Sequence, residues 1–203
     1  MMAICRCIGN IFFKAVEDEL PNLFIAPVVG NHDAIRTGLD NYRAQFQLPH
    51  NGPENQEELV YSFDYGNLHI AVLNTESGLD EETLKKQAEW LKNDMDQSDQ
   101  PWKIVSFHRP PYHTHSSREN KEIREAWSPV FDELGIDLVL TGHDHTYMRT
   151  WPLVDGEIAS EGTIYVIGGV AGPRPRTRQA IHGCMFPPII LSHILPLRLT
   201  GAS

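Results

Sequence analysis

A chain of 203 residues with 41% hydrophobic content can bury one substantial core and is short for two domains with separate cores. Its formal charge of −10 works against a nucleic-acid backbone or an anionic membrane as partner, so an anionic substrate would need a local positive centre such as a bound metal. Cys5, Cys7 and Cys184 form no disulfide or zinc pattern, no apolar run reaches the ~18 residues of a membrane span, and no N-terminal stretch reads as a signal peptide, so nothing here assigns a compartment.

In chain order, Phe12, Phe13, Val16 and Leu20 recur near helical spacing and predict a short amphipathic helix. Phe24 to Val29 reads as a short buried strand in spite of Pro27, and Gly30-Asn31-His32-Asp33 turns the chain at its end. Tyr42 to Leu48 reads as helix or loop stopped by Pro49. Leu59 to Phe63, a turn at Asp64-Tyr65-Gly66-Asn67, and Leu68 to Leu73 predict a β-hairpin. Leu84, Ala88, Leu91 and Met95, at steps of four, three and four, predict an amphipathic helix capped by Asp80 and over by Pro101.

Trp102 to Phe107 predicts a strand that delivers His108 into the loop Arg109-Pro110-Pro111-Tyr112-His113-Thr114-His115, where the prolines forbid its continuation. Ile123, Trp127, Val130, Phe131 and Leu134 predict a helix broken near Pro129 and ended by Gly135. Ile136 to Leu140 follows as a strand, with Gly142-His143-Asp144-His145 directly after it, and Gly162 to Ile167 is a further strand ending at Gly168-Gly169. The alternation predicts an α/β fold in layers, a mixed sheet flanked by helices, over residues 1–172, with an irregular tail over 173–203. Arg174, Arg176 and Arg178 in that tail read as solvated charge.

Three polar clusters each follow an apolar run, and strands of an α/β sheet place such clusters together along one edge, where these folds bind ligands. Taken singly each has an ordinary explanation: Gly-Asn is common turn chemistry, and a lone histidine after a strand carries little information. In company they gather an amide oxygen from Asn31 with imidazoles from His108, His143 and His145, a donor set suited to zinc, iron or manganese rather than to a thiolate site. His143 and His145 stand two apart, so extended backbone would aim both to one side. Metal pairs can generate hydroxide near neutral pH and hold phosphate oxygens, so catalysis on phosphate esters is the expected purpose.

Gly30-Asn31-His32-Asp33, the Val-x-x-His of Val105 to His108, and Gly142-His143-Asp144-His145-Thr146-Tyr147 together resemble three ordered motifs of the calcineurin-like metallophosphoesterases. The Val-x-x-His form resembles the purple acid phosphatase branch, and the likeness runs over roughly residues 11 to 170, including Tyr42 to Pro49 and His108 to Tyr112. The resemblance implies that Asn31, His108 and His143 ligate one metal, that His145 ligates the other, and that His32 faces the substrate phosphoryl group or its leaving oxygen. Asp33 would tune His32 or hold the turn, while His113 and His115 read either as lining the substrate pocket or as decorating an exposed loop. One or two metal ions and a small phosphorylated substrate follow.

In that family an Asp-x-His or Asp-x-Gly motif and a Gly-Asp-x-x-Asp or Gly-Asp-x-x-Tyr motif come before Gly-Asn-His, and neither precedes Gly30 here. The expectation is therefore a member lacking its first two strands, with the first metal left mainly to His145. Phosphomonoester hydrolysis leads. The alternatives are a non-catalytic remnant binding at most one metal, and a phosphodiesterase or nuclease using the same metal chemistry.

Overall fold

The computed structural model describes residues 17–18, 24–35, 38–115 and 119–169. The three cysteines, the tail over 173–203 and the helix expected from Phe12 to Leu20 lie outside these residues, apart from Glu17 and Asp18 in an exposed turn.

Among the described residues three helices, α1 (Gly38–Gln45), α2 (Glu81–Asp96) and α3 (Lys121–Leu134), accompany eight strands. These are β1 (Tyr61–Tyr65), β2 (Leu68–Val72), β3 (Trp102–Ser106), β4 (Leu138–Thr141), β5 (Tyr147–Arg149), β6 (Leu153–Val154), β7 (Glu157–Ile158) and β8 (Ile164–Gly168). Six of them form one mixed sheet in the order β1-β2-β3-β4-β8-β5, while β6 and β7 pair as a separate ribbon. The inner four, β2, β3, β4 and β8, run parallel; β1 and β5 close the two edges antiparallel. Parallel strands all end at the same edge, so the segments after β2, β3, β4 and β8 meet there.

The hairpin forms as its turn chemistry predicts: β1 and β2 pair from Tyr61↔Val72 to Tyr65↔Leu68 around Gly66, whose φ of +62° suits a residue without a Cβ. Helix α2 also forms as its spacing predicts, with Asp80 accepting from the Thr83 amide and hydroxyl at 2.9 and 2.8 Å. Helix α3 corrects the expectation of a break. Pro129 lies inside it, giving up one backbone bond, while buried Trp127 and Phe131 on either side hold both halves on the sheet. Gly135, at φ +62°, ends α3 with its own amide on Asp132 O and the Ile136 amide on Phe131 O, a Schellman arrangement.

One face of the sheet carries the register row Ala71, Val105, Val139 and Tyr165, all at most 2% exposed. Leu84, Leu91 and Met95 of α2 and Ile123, Trp127 and Phe131 of α3 pack upon it. The opposite face carries Phe63, Ile70, Ile104, Leu138 and Ile164 in register, each partly exposed.

Over the β1 end of that face lies the run Phe24 to Val29, which is irregular rather than the expected strand. Its proline offers no amide, and Pro27 O accepts instead from the buried hydroxyls of Tyr42 (2.9 Å) and Tyr61 (2.7 Å). Burial raises the pKa of both phenols, which keeps them protonated and donating. Phe24 stacks on Tyr65 with centroids 5.4 Å apart, and Val29 packs with Tyr42 and Leu59 in a second small core.

Away from the carboxyl edge, the 6% exposed His69 bridges two carboxylates: its Nδ1 lies 2.7 Å from Asp64 Oδ1 and its Nε2 2.9 Å from Asp94 Oδ2. Two acceptors require both ring nitrogens to donate, so the ring is an imidazolium. Its pKa is raised chiefly by the bond to Asp94, with Asp64 assisting against desolvation. Because the folded-state pKa lies above the unfolded one, this stabilisation is full below about pH 6.5 and fades as pH rises through the folded-state value. The stability advantage of wild type over His69→Gln should therefore shrink between pH 6 and pH 9 in urea unfolding; an advantage that grows with pH would refute the charged clamp.

Candidate metal centre

Three side chains from three distant parts of the chain converge beyond the carboxyl ends of β3 and β4. Asn31 comes from the turn after the irregular run, His108 from the residue but one after β3, and His143 from the loop after β4. Asn31 Oδ1 lies 2.8 Å from His108 Nε2 and 3.3 Å from His143 Nδ1, and the two ring nitrogens lie 3.2 Å apart. Ligand atoms about 2.0–2.1 Å from one ion, at octahedral or tetrahedral angles, lie about 2.8–3.4 Å from each other. The triangle has the size of one face of a coordination sphere, and its donors, one amide oxygen and two imidazoles, are of the kind that zinc, iron and manganese accept.

Local backbone chemistry holds each member in place. Asp33 Oδ2 accepts from the Gly30 amide at 2.9 Å, and the Asp33 and Ala34 amides return to Gly30 O, which closes the turn presenting Asn31. The His108 ring lies against Gly30 and Gly142: a Cβ at Gly30 would stand 3.1 Å from its Cε1, and one at Gly142 would stand 3.4 Å from its Nδ1. His143 has φ +63°, and the Asp144 amide reaches back to Gly142 O at 2.7 Å, the γ-turn of positive φ that is rare because it is strained. Burial pushes the His108 pKa down to about 4, with Glu76 opposing and His143, Arg109 and His32 assisting the fall. The ring is therefore neutral at pH 7, the form in which it ligates a metal. Between pH 6.5 and 4 the unfolded chain takes up a proton there that the folded chain refuses, so this group weakens folding as pH falls.

His32 is exposed in the same turn as Asn31, close enough to act on the His108 ring. His145 is also exposed, and among the described residues no hydrogen bond joins it to the trio. Residues 143–146 are bends rather than extended backbone, so a period of two does not set the directions of His143 and His145. His113 is half-buried with no hydrogen-bond partner for its Nδ1, on the loop that the buried Asp144 fastens through the Thr114 amide (2.6 Å) and hydroxyl (2.9 Å). Among the described residues no group of three or more His, Cys, Asp or Glu gathers as a metal site, and the trio contains two such residues beside its asparagine.

Sequence reading missed Asn74-Thr75-Glu76, which follows β2 in the same strand-then-polar pattern that exposed the other clusters. Glu76 is buried and takes a two-point ion pair from Arg109, Nε to Oε1 at 2.9 Å and Nη2 to Oε2 at 2.8 Å. The motif gives Asp144 no role of its own in the sequence.

The family model for calcineurin-like phosphoesterases matches residues 9–147. The chain belongs to that family. It is similar to purple acid phosphatases: it is 29% identical to purple acid phosphatase 15 of Arabidopsis thaliana over 174 residues, 81% of this chain and 32% of that protein. It is 28% identical to acid phosphatase type 7 of Mus musculus over 196 residues, 81% of this chain and 44% of that protein. Among solved structures, the purple acid phosphatase PPD1 from yellow lupin (Lupinus luteus) seeds superposes with a TM-score of 0.59 at 26% identity, over 81% of this chain and 30% of that one. The phosphoesterase fold predicted from motif order is thus the fold observed, and metals belong to the chemistry of this family. The chain spans 32% and 44% of the length of these two relatives. No helix among the described residues is long and apolar enough to cross a membrane.

Proposed function

We propose that this chain hydrolyses phosphate esters, phosphomonoesters foremost, with a metal ion held by Asn31, His108 and His143. The observation that carries this reading is the 2.8, 3.2 and 3.3 Å triangle of donor atoms at the carboxyl edge of the sheet. A bound zinc, iron or manganese ion supplies Lewis acidity and a hydroxide near neutral pH. The protein's own share is positioning and proton handling. His32 lies beside Asn31 and the two imidazoles as a donor to a phosphoryl or leaving-group oxygen, and the half-buried His113 stands in the neighbouring loop. His145 would serve a second ion.

A second reading is favoured by His145 standing exposed and unbonded to the trio: a module that binds one ion and turns over little or nothing. Elemental analysis of the purified folded chain, paired with hydrolysis of p-nitrophenyl phosphate and bis(p-nitrophenyl) phosphate, separates the two. Near two ions per chain and preference for the monoester support the leading reading. One ion without turnover supports the binding module, preference for the diester supports a phosphodiesterase, and no ion at all refutes both metal-based readings.

A further inference from the structure

His108 leaves β3 and enters a loop that two prolines bar from any strand, so no ladder fixes its backbone beyond that point, and what fastens residues 107–109 joins the ring's own contacts in aiming it. On the β4 side the Phe107 amide reaches Leu140 O and the Gly142 amide reaches His108 O, both at 3.1 Å. On the β2 side the fastening is made by side chains: Thr75 Oγ1 accepts from the Arg109 amide at 3.2 Å, and the Arg109 guanidinium forks onto Glu76. The Glu76 side chain is 3% exposed, takes a third bond from the Thr75 hydroxyl at 3.0 Å, and its own amide is held by Asn74 Oδ1 at 2.8 Å.

A carboxylate buried so deeply is costly unless every lone pair is answered, and replacing such a pair by apolar groups is often neutral or stabilising. Its worth lies in geometry. From these contacts we infer that Glu76 and Arg109 form one positioning unit for His108, setting where its ring stands relative to Asn31 and His143. This rests on the reading of those three as a metal site, but its test does not depend on it alone. The pair touches no substrate; it acts through the ring it aims.

Two conservative changes separate the parts. Glu76→Gln keeps the shape and removes the charge, while Arg109→Lys keeps the charge and removes the two-point fork. Both proteins should fold with unchanged circular dichroism. Zinc affinity, measured by calorimetry, should drop about 10- to 100-fold in each, the effect expected when a group behind a ligand is lost. In the metal-free protein the ring resonances of His108 in long-range proton–nitrogen spectra should move, with those of His69 unmoved as an internal control. If the wild type takes up no zinc, the metal reading fails, and the ring resonances still decide the positioning claim. Unmoved His108 resonances in both folded variants, or zinc affinity within twofold of a wild type that binds it, would overturn the inference.

Discussion

Replacing His143 by glycine is expected to reduce metal affinity and any phosphatase activity by about 100-fold or more, while stability stays within about 1 kcal/mol of wild type. The reasoning joins two features of one residue. Its Nδ1 is a corner of the donor triangle, 3.2 Å from His108 Nε2 and 3.3 Å from Asn31 Oδ1, so its loss leaves two protein ligands where three converge. Its backbone sits at φ +63°, a conformation that a β-carbon disfavours by about 1 kcal/mol or more and that glycine adopts freely. That relief offsets the greater entropy of glycine in the unfolded chain, so fold and function part company at this position. Calorimetric metal titration beside urea unfolding reads both terms. Undiminished metal binding in a folded His143→Gly variant would remove His143 from the site.

Trp127→Ala is expected to cost about 4 kcal/mol, since Trp127 is the largest side chain fully buried among the described residues. The indole is fully buried, meets the Phe107 ring edge to face at 5.0 Å and 80°, and donates from Nε1 to Leu84 O at 3.0 Å. It therefore ties α3 both to α2 and to the end of β3. Removing it leaves a cavity under three elements at once, against a total stability of about 5–15 kcal/mol for a domain of this kind. Trp127→Phe keeps most of the volume and forfeits the hydrogen bond, so its cost should be well under half as large. Urea unfolding followed by far-ultraviolet circular dichroism measures the difference, and a cost below about 1.5 kcal/mol for the alanine variant would show that the core closes over the gap.

Helix α2 was legible because four apolar residues at helical steps and one capping aspartate agree on the same element. The hairpin β1–β2 was legible from Gly66 and the apolar runs around it, and strands β3, β4 and β8 from their apolar runs and the breakers that follow. The run Phe24 to Val29 was misread, because an apolar run reveals burial but not whether a neighbouring backbone exists to pair with it. Strands β5, β6 and β7, of two or three residues, are too short for any period to show. At the candidate site, motif order announced which residues meet. It could not announce the positive φ at His143 or the exposure of His145. Glu76 and Arg109 were hidden for another reason: a salt bridge between loops 33 residues apart leaves no periodic trace in sequence.

Asn31 stands 77 residues from His108 and 112 from His143, and it rides on a segment with no ladder of its own. Among the described residues, Pro27 O ties that segment to Tyr42 of α1 and Tyr61 of β1, Val29 packs with Tyr42 and Leu59, and Phe24 stacks on Tyr65. Such a segment opens at a lower free energy than the parallel strands beneath it, as a separate cooperative unit. When it lifts, the sheet, α2 and α3 remain folded, yet the donor triangle has lost a corner. Were residues 24–35 to open in this way, the affinity of any ligand at the candidate site would be its intrinsic affinity scaled by the fraction of time that the segment is seated.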